Sequence, residues 1–526
     1  MALIEGASAA ARDYAIASAY ALLIGEEKRR KLSAYFTPPA LAAAAIEAAE
    51  DLIKDKDFPY VLDPACGGGS FLTEISTMLV DRAASRGTSS TRACSKVLER
   101  LSGIELDTGL ARLSTKLVRR IMTERYDYRR PANGALVWRA DALRANLKQR
   151  FDLIVGNPPY GKVGRSVAPQ ILAQAGEAAL GGHTNFYALF LVRALDWLRP
   201  GGGLVFVLPT SFVAGPYFAG LRREVLARAE VVSIDLHEQR EYLFVDAVQD
   251  VCLLVLRRKD PKNAAMKGGG WYKLGYIDAS GKRHPIGQAE AKPDGEPWTL
   301  PVLGLAKGAE VRKTAEKAFT LEDYGYRVRV GKVVPTRERD RLKTKRTKKS
   351  LPLLWASDVR PDGSFLYGGS ERGENASWYV PATAGPISYC IRGRAVVVQR
   401  TSNREQRRRL NAAPVSRTFL RNEGSGGFVA ENHVIVLEPT SKKPRVAPEA
   451  LAHLLNSAPA NDRFSAVSGS FSVSARLLAR LALPDWARLP DHKDAGYAAK
   501  LSRAFSRVGP LLAQLKAPGD LEHAID

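Results

Sequence analysis

The stretch Phe151-Asp152-Leu153-Ile154-Val155-Gly156-Asn157-Pro158-Pro159-Tyr160 constrains this chain more than any other. Its apolar first half reads as a buried strand. Two consecutive prolines end that strand, because neither can donate to a ladder or continue a helix. The backbone stiffens there and leaves the Asn157 amide, the Pro158 carbonyl and the Tyr160 ring on a rigid turn at a sheet edge. As structure alone this is a turn between strand and helix, where Asn and Pro are common. As chemistry it fits a planar base carrying an exocyclic amino group, with two N–H donors and a lone pair delocalised into the ring. The Asn157 oxygen and the Pro158 carbonyl can accept the two hydrogens while Tyr160 stacks on the ring. The nitrogen then turns tetrahedral, and its lone pair is free to attack an electrophilic methyl group. Asn157, Pro158, Pro159 and Tyr160 are therefore the expected catalytic residues. Asp152 is a polar residue in an otherwise buried strand, and nothing in the sequence explains it.

A donor site is expected upstream, at Val61-Leu62-Asp63-Pro64-Ala65-Cys66-Gly67-Gly68-Gly69-Ser70. It reads as strand, glycine loop and helix start, with glycines that let the backbone approach a ligand. The loop lacks both Gly-x-Gly-x-x-Gly and a Gly-Lys-Ser/Thr ending, which counts against a dinucleotide or a nucleoside triphosphate. Leu101–Ile104 reads as the next strand and ends in Glu105, placed to accept two ribose hydroxyls. Leu136–Ala140 follows and ends in Asp141-Ala142, an acid and an apolar neighbour suited to an adenine. Each acid alone is an ordinary strand end. Together with Asp63, Ala65, Cys66 and Gly67, ahead of Asn157, they make a cofactor site.

These motifs and their order resemble the gamma-class N6-adenine DNA methyltransferases of restriction–modification systems, the TaqI methyltransferase type. Ala34-Tyr35-Phe36-Thr37-Pro38-Pro39 comes first, then the glycine loop, then Asn-Pro-Pro-Tyr, then a carboxyl-terminal extension. The resemblance implies S-adenosyl-L-methionine as cofactor and places Tyr35, Thr37 and Pro38 against it. It implies an α/β, Rossmann-like seven-stranded methyltransferase sheet whose last strand, near Asp250–Arg257, runs antiparallel. It also matches Phe244 to an aromatic that stacks on an extruded base, the alternative being a core residue.

The formal net charge of +23 over 526 residues points to a polyanionic partner, here double-stranded DNA. No run approaches a membrane span, and the apolar stretch Ile16–Ile24 reads as a packed helix rather than a signal-peptide core. Cys66, Cys94, Cys252 and Cys390 are scattered without Cys-x-x-Cys spacing, so neither a disulfide framework nor a metal site is expected. A cytoplasmic, nucleoid-associated enzyme of bacterial or phage origin is expected, monomeric, with a separately encoded cognate endonuclease as companion.

Alternating strands and helices over 1–260 form the expected catalytic domain. Gly-, Lys- and Pro-rich sequence over 261–300 reads as a linker or peripheral hairpin. Residues 301–526 read as a mixed α+β target-recognition domain. There Arg337, Lys345, Arg346, Lys348 and Lys349 are expected at phosphates, their alternative being a solvated loop. Gln399, Arg400 and Arg404, directly after a buried strand, are expected at base edges or phosphates. His433 reads as a structural hydrogen-bonding residue. Two other functions remain: methyl transfer to an amino or amide group of RNA or protein, and a modification subunit of a larger restriction complex.

Overall fold

A computed structural model describes residues 8–24, 36–129, 135–163, 185–237, 251–260, 270–292, 294–301, 317–369, 375–382, 387–401, 408–468 and 472–508. Tyr35, Phe244 and Arg404 lie outside them. The chain divides into two compact units, Met1–Pro301 and Val302–Asp526.

Among the described residues the first unit holds a nine-stranded sheet in the order β3-β2-β1-β4-β5-β7-β6-β8-β9. Strands β1 (Val61–Asp63), β2 (Leu101–Glu105), β3 (Val137–Arg139), β4 (Phe151–Gly156) and β5 (Leu198–Pro209) run parallel to one another. Strand β7 (Val251–Arg258) is antiparallel to both β5 and β6 (Ala229–His237). Alternation along the strands fills both faces. Val61, Leu153, Val155, Val205 and Val207 pack with the helices Pro39–Ile53, Ser70–Ser85 and Thr108–Tyr126. Leu62, Ile154, Leu204, Phe206 and Leu208 pack with Phe186–Trp197 and Ala219–Arg228 on the other side.

The sheet is two strands wider than the seven expected, and the extra pair comes from the segment read as a linker or peripheral hairpin. Strands β8 (Trp271–Ile277) and β9 (Arg283–Glu290) form a hairpin, with β8 parallel to β6. The buried Arg222 guanidinium donates to the carbonyls of Phe212, Gly215, Gly295 and Glu296, and Trp298 packs edge-on against Phe212. Tyr272, Leu274, Ala289, Ala291, Trp298 and Leu300 thereby join the first unit's core. Of the two readings of this segment the hairpin is the one formed, an outer strand pair with one solvated face.

Asp152 also finds its explanation. Its carboxylate accepts from Lys56 Nζ at 2.7 Å, Tyr60 N at 2.8 Å and Arg199 Nη1 at 3.0 Å. Burial alone would raise its pKa, but these donors hold it below the usual carboxylate value. It ties the amino-terminal side of β4 to the segment entering β1, away from Asn157.

The second unit carries an antiparallel sheet β10-β17-β14-β15 (Tyr326–Val330, Val434–Pro439, Val396–Gln399, Ala412–Pro414). A smaller sheet has the order β11-β13-β12-β16, from Leu342–Lys343, Trp378–Tyr379, Leu351–Leu354 and Val429–Ala430. One face of the larger sheet, with Val396, Val398, Ile435 and Leu437, packs on the helices Pro448–Leu455, Ala458–Val467 and Ala475–Ala479. Val397, Val434 and Val436 pack on the other side with Leu354, Phe419 and Phe428. Among the described residues no helix is long and apolar enough to cross a membrane.

Candidate active site

Strand direction sets the site. β1, β2, β3 and β4 are parallel, so Asp63, Glu105, Asp141 and Asn157 all emerge at the carboxyl edge of the sheet. The strand order reverses between β1 and β4, which is where open α/β sheets leave a crevice for ligands.

The loop after β1 supplies its floor. Gly67 and Gly69 hold positive φ angles of 51° and 84°, and Gly69 precedes the helix Ser70–Ser85. Ser114 Oγ donates to the Gly67 carbonyl at 2.5 Å, and the Phe36 ring lies over Gly67 and Gly68. The Glu105 carboxylate accepts from Gly67 N at 2.9 Å and from Asp107 N at 2.8 Å. Burial raises its pKa against the pull of those two donors. Ala140 N donates to the Glu105 carbonyl, which sets Asp141 beside the same edge, where its Oδ1 accepts from Leu143 N at 3.1 Å. Ala142 is buried behind it.

Asp63 is fully buried. Its Oδ1 accepts from Ala65 N at 3.1 Å, while Oδ2 has no hydrogen-bond partner among the described residues. Burial pushes its carboxyl up to about 8, with a further push from the Glu105 charge. A Cβ on Gly156 would meet Asp63 Oδ1 at 2.7 Å, so the glycine ending β4 makes room for this acid.

Asn157 follows at the end of β4. Its Nδ2 donates to Thr37 Oγ1 at 3.1 Å, and its Oδ1 accepts from the Tyr160 hydroxyl at 2.6 Å. The Tyr160 hydroxyl also lies 3.3 Å from the Val207 carbonyl, and burial drives its pKa far up. Its ring meets Tyr187 edge-on, with centroids 6.3 Å apart. Pro158 is buried, whereas Asn157, Pro159, Tyr160 and Pro38 are partly exposed.

The sequence-derived set thus comes together at one sheet edge, with adjustments. The Cys66 side chain points into the core beside Leu72 and Val137, so the loop offers only its backbone there. Thr37, expected at the cofactor, bonds the Asn157 amide. Three residues went unread: Phe36 over the glycine loop, Ser114 behind it, and Leu106, 55% exposed directly after Glu105. An apolar residue just past a strand-ending acid was the available signal for Leu106.

In the second unit, Arg337, Lys345, Arg346, Lys348 and Lys349 are exposed. Arg346 also lies over the Trp378 ring at 5.3 Å and 3.8 Å from Glu423. Gln399 corrects the expectation of base contact. It is buried, its Nε2 donates to the carbonyls of Ala356 and Val359, and its Oε1 accepts from Asn411 Nδ2. Its amide stitches the fold. Arg400 is half-buried and donates to the Asn432 carbonyl at 3.0 Å.

The β3-β2-β1-β4-β5-β7-β6 portion, with β7 antiparallel, is the sheet of S-adenosylmethionine-dependent methyltransferases, and S-adenosylmethionine is the cofactor the fold implies. The residues present fit it: a buried carboxyl oxygen without a partner, a glycine cradle and a backbone-held acid at the next strand end.

Residues 93–242 match the family model described as Eco57I restriction-modification methylase. The chain is 25% identical over 359 residues to the type II methyltransferase M.BsuBI of Bacillus subtilis, covering 65% of this chain and 67% of that protein. It is 24% identical over 356 residues to the type II methyltransferase M.PstI of Providencia stuartii, covering 66% and 67%. Among solved structures, the Type IIL restriction-modification enzyme MmeI in complex with DNA superposes with a TM-score of 0.50 at 13% identity. That match covers 89% of this chain and 73% of the other, and it speaks to fold alone.

Proposed function

We propose that this chain is a site-specific DNA methyltransferase that moves the methyl group of S-adenosylmethionine to N6 of an adenine extruded from the duplex. In this reading it is the modification enzyme of a type II restriction–modification system, of the gamma class. The observation that carries it is Asn157-Pro158-Pro159-Tyr160 at the end of β4, beside the cradle of Asp63, Gly67 and Glu105. The type II methyltransferase relatives support the substrate class.

When bound, the cofactor supplies an electrophilic methyl group on a sulfonium. Glu105 would accept the ribose hydroxyls, Asp141 with Ala142 and Leu106 would hold the adenine moiety, and Asp63 would face the cationic portion. N6 of a paired adenine is held inside the duplex, so the base must leave the stack, at a cost of about a few kcal/mol. Tyr160 and Phe244 would offset that cost by stacking. Asn157 Oδ1 and the Pro158 carbonyl would accept hydrogen bonds from the two N6 hydrogens and raise electron density on the nitrogen so that it can take the methyl group. The carbon–sulfur bond would break with its electron pair leaving on sulfur, and the surplus N6 proton would pass to solvent. Catalysis is then positioning and lone-pair exposure. The exposed lysines and arginines at 337–349 would hold phosphates.

Incubation with plasmid DNA and labelled S-adenosylmethionine, followed by digestion to nucleosides, tests this. N6-methyl-2′-deoxyadenosine as the product supports it. Label in N4-methyl-2′-deoxycytidine would change the target base, and an unlabelled plasmid beside labelled RNA or protein in parallel incubations would replace the substrate.

A further inference from the structure

Thr37 and Asn157 lie 120 positions apart in sequence, yet their side chains bond to each other. Each immediately precedes a Pro-Pro pair. A residue before proline is confined to extended backbone, and a β-branched side chain such as Thr has few χ1 choices. Two stiffened segments therefore face one another. Thr37 is buried, 4% exposed, so its hydroxyl is turned to protein and not to solvent. The Asn157 amide is gripped at both ends, its N–H by Thr37 Oγ1 at 3.1 Å and its oxygen by the Tyr160 hydroxyl at 2.6 Å.

The two grips have opposite electronic effects. A donor on Oδ1 draws density from it. An acceptor on Nδ2–H pushes density through the amide toward Oδ1 and strengthens it as an acceptor, the usual cooperativity of chained hydrogen bonds. It also stops the amide from turning its NH2 toward the incoming amino group, a donor–donor clash.

We propose that Thr37 is a positioning residue for methyl transfer: its hydroxyl fixes the orientation of the Asn157 amide so that Oδ1 faces the amino group being methylated. This rests on the proposed function and departs from the expectation that Thr37 serves the cofactor. It predicts a defect in the transfer step rather than in cofactor affinity.

Thr37→Val keeps the shape and removes the hydroxyl; Thr37→Ser keeps the hydroxyl and removes the methyl group. Single-turnover transfer at saturating S-adenosylmethionine and DNA is measured alongside cofactor affinity by calorimetry, using the full chain. For Thr37→Val the rate is expected to fall about tenfold, the scale of one well-placed hydrogen bond, with affinity within about twofold of wild type. Thr37→Ser should recover to within about threefold of wild type, because the hydrogen bond survives. A Thr37→Val enzyme that binds cofactor more weakly but transfers at the wild-type rate overturns the proposal and makes Thr37 a cofactor contact. Equal slowing by both variants also overturns it, since packing would then be the cause. Wild-type protein that transfers no methyl group overturns the proposed function and this inference together, an outcome distinct from an active enzyme indifferent to position 37.

Discussion

Two strands of this molecule end in polar side chains and meet opposite fates. β4 runs Phe151–Gly156 into Asn157, and β14 runs Val396–Val398 into Gln399. After β4 two prolines stop the ladder, so the amide is left at the sheet edge beside the cofactor cradle. No proline follows β14, and Gln399 stays in register opposite Val434. Its side chain turns inward and binds the short helical turn Ala356–Asp358 through the Ala356 carbonyl. At these two strand ends the difference is the proline pair, which keeps Asn157 out of the ladder that Gln399 joins.

The first test of that contrast has the largest expected effect. Asn157→Ala should lower single-turnover methyl transfer about 10²–10³-fold, the range for deleting one preorganised group at a reacting centre. Cofactor affinity should stay nearly unchanged, because Asn157 bonds Thr37 and Tyr160 and not the glycine loop. Transfer at the wild-type rate would remove Asn157 from the chemistry and erase the distinction from Gln399.

Neutralising Lys345, Arg346, Lys348 and Lys349 together comes next in size. Binding should weaken at all DNA sequences, and the log–log salt slope should flatten by about 0.9 per lost phosphate contact. Arg346 is shared with Trp378 and Glu423, so the flattening should be nearer roughly 2.7, as for three contacts, than that for four. An unchanged slope returns this run to a solvated loop.

The first unit was the more legible because its chemistry is written in local rules. Proline stops, glycine turns and acids at strand ends each act within a few residues, and the parallel register then aligns them without further information. The wider sheet was not legible. A hairpin was one reading of the segment after β7, but its pairing with β6 was not, because Ser233 meets Lys273 from far along the chain. The bond between Asn157 and Thr37 was hidden for the same reason, since the two lie in separate motifs. In the second unit the positive charge was plain in sequence. Which polar groups face solvent was not, because burial at Gln399 is decided by Asn411 and by the turn at 356–359.

Gln399→Ala tests that decision directly. It leaves two backbone carbonyls and one Asn donor short of a partner in a buried setting, so stability should drop by about 2–3 kcal/mol. The methylated site should not change. A relaxed methylation pattern in cells with unchanged melting temperature would restore Gln399 to the base edges and break the contrast with β4.

The smallest expected signal is a proton count at Asp63. Burial raises this carboxyl to about 8 in the folded chain, against about 3.9 in an unfolded one. The folded state therefore holds the proton more tightly. The stability Asp63 contributes is fully present below the unfolded value and is lost as pH rises through about 8. A cationic cofactor favours the ionised form, so binding near neutral pH should expel a fraction of a proton, falling toward zero at alkaline pH where the carboxyl is already ionised. Calorimetry in buffers of different ionisation enthalpy counts that proton. Asp63→Asn should abolish the buffer dependence and weaken cofactor binding, while losing less stability than wild type between neutral and alkaline pH. Equal proton release from both proteins would place the titrating group elsewhere. Asp63 would then be a structural acid, bound into the fold at the end of β1 as Gln399 is at the end of β14.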